Sequence, residues 1–452
     1  MPSPTTRFRG GPEVYVHPGV LCAVLLAGIL IFLLPRKYVV VPLLAAALLI
    51  PMDQAVLIGP LHWTMLRIIV LIGWMRVLSE SFFAQRLFPA TRLNAIDKAV
   101  MLWAGTSALN IVLLWRSWPA LINQLGAVYN FFGIYFLLRL LIPDGEHAVR
   151  AIHTLTGIAV VVAAIMVMEL AIQQRIYAAL SSPERSQALW GRLGTLRAVA
   201  GFGNPVCAGV FGATLMPLSL GLWWKKHRSM AVVGVVAASV IVIASFSSTP
   251  VLAYVAGVLG LCLWPARRHL RLLRWTLLIF LLALHFLMKA PVWALIQRVS
   301  IIGGSSGYHR FMLVDNFFQH FGDWWLLGAR DAGDWGYFAY DIANQYVGIG
   351  ESAGLVPFLL FIAAIVYGFK YLGRARQGGA GSERRFMWTV GCALLAHVVA
   401  FFGLSYFDQL VVVWYALLAI ISAVAVAPVN AEAKASAKRF ALLASNPAQA
   451  EL

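Results

Sequence analysis

The side chains able to do chemistry gather in two polar stretches that interrupt long runs of hydrocarbon. The first, 171–204, carries Arg175, Arg185, Arg192 and Arg197. The second, 293–353, contains GYHRFMLVDNFFQHFGDWW (307–325), where His309, Arg310, Asp315, His320 and Asp323 stand among phenylalanines and tryptophans. It continues to Asp341, to the compact polar group Asn344, Gln345 and Tyr346, and to Glu351. An arginine fork matches a phosphate or carboxylate two oxygens at a time. Arg192, Arg197 and Arg310 are therefore the candidate anion-binding residues, with interfacial snorkelling the alternative for any one arginine of the first stretch. Asp341 and Glu351 are candidates for proton transfer, because carboxylates beside membrane-embedded segments are expensive. His309 is a further candidate, and Glu351 serves equally as a partner for an arginine. Asn344, Gln345 and Tyr346 suit sugar hydroxyls, against helix capping by Asn344. His309 and His320 have no third ligand beside them, so no metal site is expected.

These groups need elements that can hold them, and composition names the solvent those elements meet. The 452 residues are 61% hydrophobic and only 12% charged, about half the charge of a typical soluble domain. Apolar segments recur near 18–34, 39–58, 61–78, 97–115, 119–142, 150–170, 205–223, 229–246, 250–265, 274–292, 354–372, 386–404 and 408–428. Runs of about 20 apolar residues match a bilayer core of about 30 Å. The expected fold is an all-α polytopic integral membrane protein with about 12–13 transmembrane helices. The second segment is the weakest, interrupted by Pro42, Pro51 and Asp53.

A net charge of +17 does not imply nucleic acid, because the basic residues fall in short clusters between apolar runs, as topology and anionic lipid require. Cys22, Cys207, Cys262 and Cys392 lie in or beside apolar segments; they suit small core residues rather than a disulfide framework. Residues 1–17 form a polar segment without a removable signal peptide, 18–428 the membrane domain, and 429–452 a polar, disordered tail. The clusters 225–228, 267–274 and Arg374, Arg376, Arg384 and Arg385 read as cytoplasmic, which places 171–204 and 293–353 on the outer side.

Within the outer stretch, Arg310 to Trp325 has the repeat of a short amphipathic helix lying in the membrane interface. Phe311, Val314, Phe317, Phe318 and Phe321 share one face, with Asp315, Gln319 and Asp323 opposite and Trp324 and Trp325 as an interfacial pair. Arg310 projects toward the phenylalanine face. There a diphosphate at headgroup depth would satisfy it, and an internal carboxylate or backbone carbonyls are the alternative.

Three motifs follow one another along the chain: an arginine ahead of a helix start in RAVAGFGNPVCAG (197–209), a serine-rich turn in SFSSTP (245–250), and an outer stretch with Arg310, WWLLGARD (324–331) and NQYVGIGESAGLVPFLLF (344–361). Their order resembles the O-antigen ligase and O-antigen polymerase superfamily, integral membrane glycosyltransferases of bacterial envelopes, over most of residues 60–425. The resemblance implies transfer of glycan from a polyprenyl-diphosphate carrier at the outer face of the plasma membrane, with no metal or other cofactor. The acceptor is the lipid A core for ligases and another carrier-linked glycan for polymerases. The family's diphosphate-binding arginines map to Arg197 and Arg310. Many ligases carry a histidine directly before the Asn-x-Tyr segment, where this chain has Ala343. That departure leaves Asp341 and Glu351, then His309 and His320, as substitutes for the base and tilts the expectation toward a polymerase or exopolysaccharide role.

Two other classes of function compete. A transporter or flippase of lipid-linked glycans should place charge at mid-membrane and show repeat-related broken helices. Here charge concentrates in the outer stretches and no internal repeat is seen, with Glu169, His285 and His397, in or near the ends of apolar segments, as weak exceptions. A non-catalytic envelope-assembly protein is the third reading.

Overall fold

The computed structural model describes residues 13–59, 61–83, 93–182, 191–192, 194–298, 307–336 and 342–426. Every apolar segment carries a helix. In chain order they are α1 Pro18–Leu33, α2 Val40–Leu49, α3 Met65–Phe83, α4 Ala95–Trp115, α5 Trp118–Leu141, α6 Gly145–Ile172, α7 Pro205–Gly221, α8 Arg228–Ala244, α9 Ser248–Cys262 and α10 Leu270–Leu287. The second polar stretch contributes α11 Gly307–Gln319, α12 Phe321–Trp324 and α13 Gln345–Ala353, followed by α14 Leu355–Gly378, α15 Gly381–Ala400 and α16 Gln409–Ile421. Six helices among the described residues are long and apolar enough to cross a membrane: α4, α5, α6, α7 with its 3-10 extension, α10 and α14. The protein is a predominantly helical membrane protein with very little sheet.

The second apolar segment is corrected by the structure. Its helix α2 has ten residues, about 15 Å of rise, half of a bilayer core. Beyond it the chain forms the hairpin β2 (Gln54–Ile58) and β3 (Leu61–Thr64), with β1 (Glu13–Val14) parallel to β2. Pro51 and Asp53 end the helical run, and the five residues QAVLI are β-capable as well as apolar.

Local signals fix the helix starts. Asn94 caps α4 by accepting from the Ile96 and Asp97 N–H groups (2.8 and 3.0 Å), and Asp97 accepts from the Asn94 N–H in return (2.9 Å). Asp97 also accepts from the Tyr135 hydroxyl (2.6 Å) and pairs with Arg139 (3.4 Å), both partners buried. Asn204 and Pro205 start α7 in the same way, the Asn204 side chain accepting from the Val206 N–H at 2.8 Å. Helix α7 is the axis of the bundle: nearly all of it is buried, against α6, α8, α9 and α15. Gly209 permits the close approach of α9, since a Cβ there would stand 2.5 Å from Pro250 and from the Ser245 hydroxyl. A second group, α4, α5, α14 and α16, closes the other side. Helix α10 stands apart, with none of its residues buried.

Long-range bonds sort the connections into two ends. At one end the His17 N–H donates to Gln54 Oε1 (2.8 Å), the Ser182 N–H to Asp53 (2.8 Å), Gln409 to the Gly201 carbonyl (2.7 Å) and Asn110 to the Ala353 carbonyl (2.7 Å). At the other, Arg150 donates to the Lys37 carbonyl (2.8 Å), Trp388 to the Gly260 carbonyl (2.9 Å), and Lys225 pairs with Glu383 (2.5 Å). Both polar stretches belong to the first end.

The second polar stretch has a small core of its own. Phe317 stacks on Trp324 with centroids 4.0 Å apart, and Val314, Ala329, Ala332 and Val347 surround them. The expected phenylalanine face is therefore rotated. Leu313, Val314, Asn316 and Phe317 are buried, while Phe318 and Phe321 stay 53% and 44% exposed. The expected tryptophan pair divides likewise, Trp324 being buried and Trp325 exposed. The reason is that α11 packs against residues 292–298 and α13, so protein contacts choose the buried arc. Asp315 accepts from the Trp293 indole (2.9 Å) and from Gln319 (2.6 Å), and His320 stacks on Trp335.

Candidate functional site

Residues 245–249 carry the chain from α8 into the start of α9, and two of the three candidate arginines, Arg197 and Arg310, reach this corner. Ser245 is the C-cap of α8, and Phe246 follows it in the left-handed region (φ 43°), the usual position for such a turn after a helix. Arg197 Nε donates to the Ser245 carbonyl (3.2 Å) and its Nη2 to the Ser247 hydroxyl (2.5 Å). Arg310, from the first turn of α11, donates through Nη2 to the Thr249 hydroxyl (2.9 Å). Segments far apart in sequence thus bring two guanidinium groups onto one corner.

The corner is also the start of a helix. Ser247 occupies the N-cap position of α9 but makes no side-chain cap bond, its hydroxyl donating instead to the Ser245 carbonyl at 2.8 Å. Helix starts favour negative charge. Two guanidinium groups at this start give a place where a phosphate oxygen would be a stronger acceptor than a neutral hydroxyl.

Thr249 extends the arrangement to a third segment, its hydroxyl donating to the Gly403 carbonyl (3.2 Å). Gly403 lies so close that a side chain there would collide with Thr249. The turn holding Gly403 is tied to α13 by Gln345, one of the residues expected to meet sugar. Asn344 is buried and caps α13, accepting from the Tyr346 and Val347 N–H groups at 3.0 and 3.2 Å. Gln345 accepts from the Tyr406 N–H (2.5 Å) and donates its own N–H to the Phe401 carbonyl (2.8 Å). The Tyr346 hydroxyl donates to the Val398 carbonyl (3.0 Å), and burial pushes its phenol above the ordinary value. Gln345 thus fastens the second polar stretch to the 401–406 turn and Tyr346 fastens it to the last turn of α15, while Asn344 fixes the start of α13.

The other candidates are placed as follows. His309 is half-buried on α11 beside Arg310. Glu351 is buried on α13, and its carbonyl accepts from the Ala329 N–H at 2.7 Å. Arg192 lies on β4 (Gly191–Arg192), paired with β5 (Thr195–Leu196), and its side chain lies outside what the structure describes. Asp341 and Arg185 also lie outside the described residues.

Two supporting residues had little sequence signal. Gln409 is buried and bonded to the Gly201 carbonyl, and nothing in its local sequence marks it. Glu169 is fully buried at the end of α6 and accepts from three backbone N–H groups, at Ile176 (3.1 Å), Val199 (2.8 Å) and Ala200 (3.0 Å). An acid at the end of an apolar run was its one signal.

Fold and site together define a helical membrane protein with an arginine-flanked corner at one end of its bundle. No protein-family model matches the chain, and no curated protein matches it.

Proposed function

We propose that this protein transfers glycan from a polyprenyl-diphosphate carrier at the outer face of the bacterial plasma membrane, as a polysaccharide polymerase or a ligase. The observation that carries this reading is the convergence of Arg197 and Arg310 on the 245–249 corner. A diphosphate becomes a good leaving group once its charge is met, and arginines fixed in advance meet it without reorganising. The carrier's lipid lies among the helices while the glycan extends into the two polar stretches. The acceptor hydroxyl attacks the anomeric carbon, the bond to the diphosphate oxygen breaks, and the hydroxyl proton passes to a base. Asp341, Glu351 and His309 are the groups proposed for that proton. Direct displacement inverts the anomeric centre.

The basic far end supports the orientation, since positive residues favour the cytoplasmic side. A carrier reading would use Glu169 and His397. Glu169 is instead engaged with three backbone N–H groups, and His397 lies 2.7 Å from the Tyr406 hydroxyl. Purified protein with a polyprenyl-diphosphate-linked glycan should yield lengthened or transferred glycan, and Arg310→Ala should abolish the product. Full activity in that variant would remove the central residue of this reading.

A further inference from the structure

We propose that Glu169 is the positioning residue of Arg197, and that its carboxylate sets the affinity of the corner for diphosphate. This rests on the reading of that corner as a diphosphate site. The geometry carries the rest. One oxygen of Glu169 accepts from both Val199 (2.8 Å) and Ala200 (3.0 Å), two and three residues past Arg197. The other accepts from Ile176 (3.1 Å), in the chain leaving α6. Ala200 sits in the left-handed region (φ 49°), a conformation that L-residues avoid without outside support. In that conformation the adjacent Val199 and Ala200 N–H groups meet at one anion. Here the anion is the Glu169 side chain, held with no exposure to solvent.

The same segment is anchored on its other side by the Ala198 N–H, which donates to the Ala244 carbonyl (3.3 Å). Arg197 therefore leaves a backbone pinned between the end of α6 and the end of α8, and its guanidinium lands on Ser245 and Ser247. Without the carboxylate the left-handed turn loses its support, and Arg197 loses the fixed origin that brings it to the corner. Glutamine is the informative replacement. It has nearly the same size but keeps one accepting oxygen and sets an N–H donor where the second oxygen stood.

The test uses the full chain in detergent or nanodiscs, with inorganic pyrophosphate as the probe and melting curves to establish folding. Glu169→Gln should remain folded and bind pyrophosphate at least about tenfold more weakly than wild type, a change of about 1.4 kcal/mol. A residue acting through Arg197 makes a further prediction: Glu169→Gln combined with Arg197→Ala should bind no worse than Arg197→Ala alone. Asp97→Asn, at the far end of the bundle, serves as the control that lowers stability while leaving pyrophosphate affinity unchanged. Wild-type affinity in folded Glu169→Gln would overturn the proposal, as would additive losses in the double variant. If Glu169→Gln does not fold, Glu169→Asp replaces it: the charge is kept with a shorter reach, and the same weakening is expected. Failure of both to fold would make Glu169 a determinant of folding alone and overturn the proposal too. Absence of pyrophosphate binding in the wild type is a different result, and it would sink the diphosphate reading itself.

Discussion

Arg197 donates to the hydroxyl of Ser247 across 50 positions of chain, at 2.5 Å, while that serine stands at the start of α9 without capping it. A guanidinium thus occupies the hydroxyl of the residue best placed to cap the helix. The arginine and the helix start act on the same point in space, and the first prediction follows from that overlap.

Removing either arginine removes a donor from the site. Arg197→Ala and Arg310→Ala should each lower transfer by at least about 10²-fold, the scale of losing one donor fixed in advance for a developing negative charge. Lysine at either position should restore little, because a point charge lacks the fork. Initial rates with a carrier-linked donor measure this, alongside expression level as a check on insertion.

Gly403 should tolerate no side chain. Gly403→Ala drives a methyl group into Thr249, an overpacking that typically costs about 1–3 kcal/mol. Melting in detergent should fall accordingly, and transfer should fall with it because Thr249 receives Arg310. An unchanged melting temperature would show that the 401–406 turn can move away at no cost.

The proton acceptor separates by two isosteric changes. Asp341→Asn should slow turnover by roughly 10²–10⁴-fold if Asp341 is the base, with pyrophosphate binding intact. Glu351→Gln should have the smaller effect if Glu351 supports α13 and the larger one if it is the base itself. Wild-type rates in both would assign the proton to His309, to water or to the leaving diphosphate.

Sidedness is measured by labelling. Asp334 and Ser382 are exposed at opposite ends of the bundle. An impermeant thiol reagent added outside cells should modify Asp334→Cys and spare Ser382→Cys. The reverse pattern would put the arginine corner in the cytoplasm.

The buried pair Arg139 and Asp97 supplies a stability test apart from function. Asp97→Asn leaves a guanidinium in the bundle without its carboxylate, a loss of roughly 3–5 kcal/mol for a buried pair. Thermal melting should register it while pyrophosphate affinity stays constant.

The apolar runs announced the helices, because a bilayer demands continuous hydrocarbon whatever the tertiary contacts are. The same rule hid the hairpin over 54–64, since a short apolar strand and part of an apolar helix have one composition. Arg197 and Arg310 were legible as cations where topology asks for none, yet their meeting on 245–249 depends on contacts from three distant segments. Asn344 shows the limit at a single residue. Its polarity marked a functional position or a cap equally well, and only the geometry of α13 places its oxygen on two N–H groups. The rotation of the buried face on α11 was not legible either, because periodicity describes one helix and Trp293 and Val347 belong to others.

The Thr249 hydroxyl has one proton and two lone pairs. Its proton is directed to the Gly403 carbonyl, so Arg310 meets a lone pair. Ser247 repeats the pattern, its proton on the Ser245 carbonyl and a lone pair toward Arg197. At these two contacts an incoming anion therefore competes with oxygen lone pairs. When it takes those donors, neither the Ser247 nor the Thr249 hydroxyl has to rotate, and each keeps its bond to a carbonyl through the exchange.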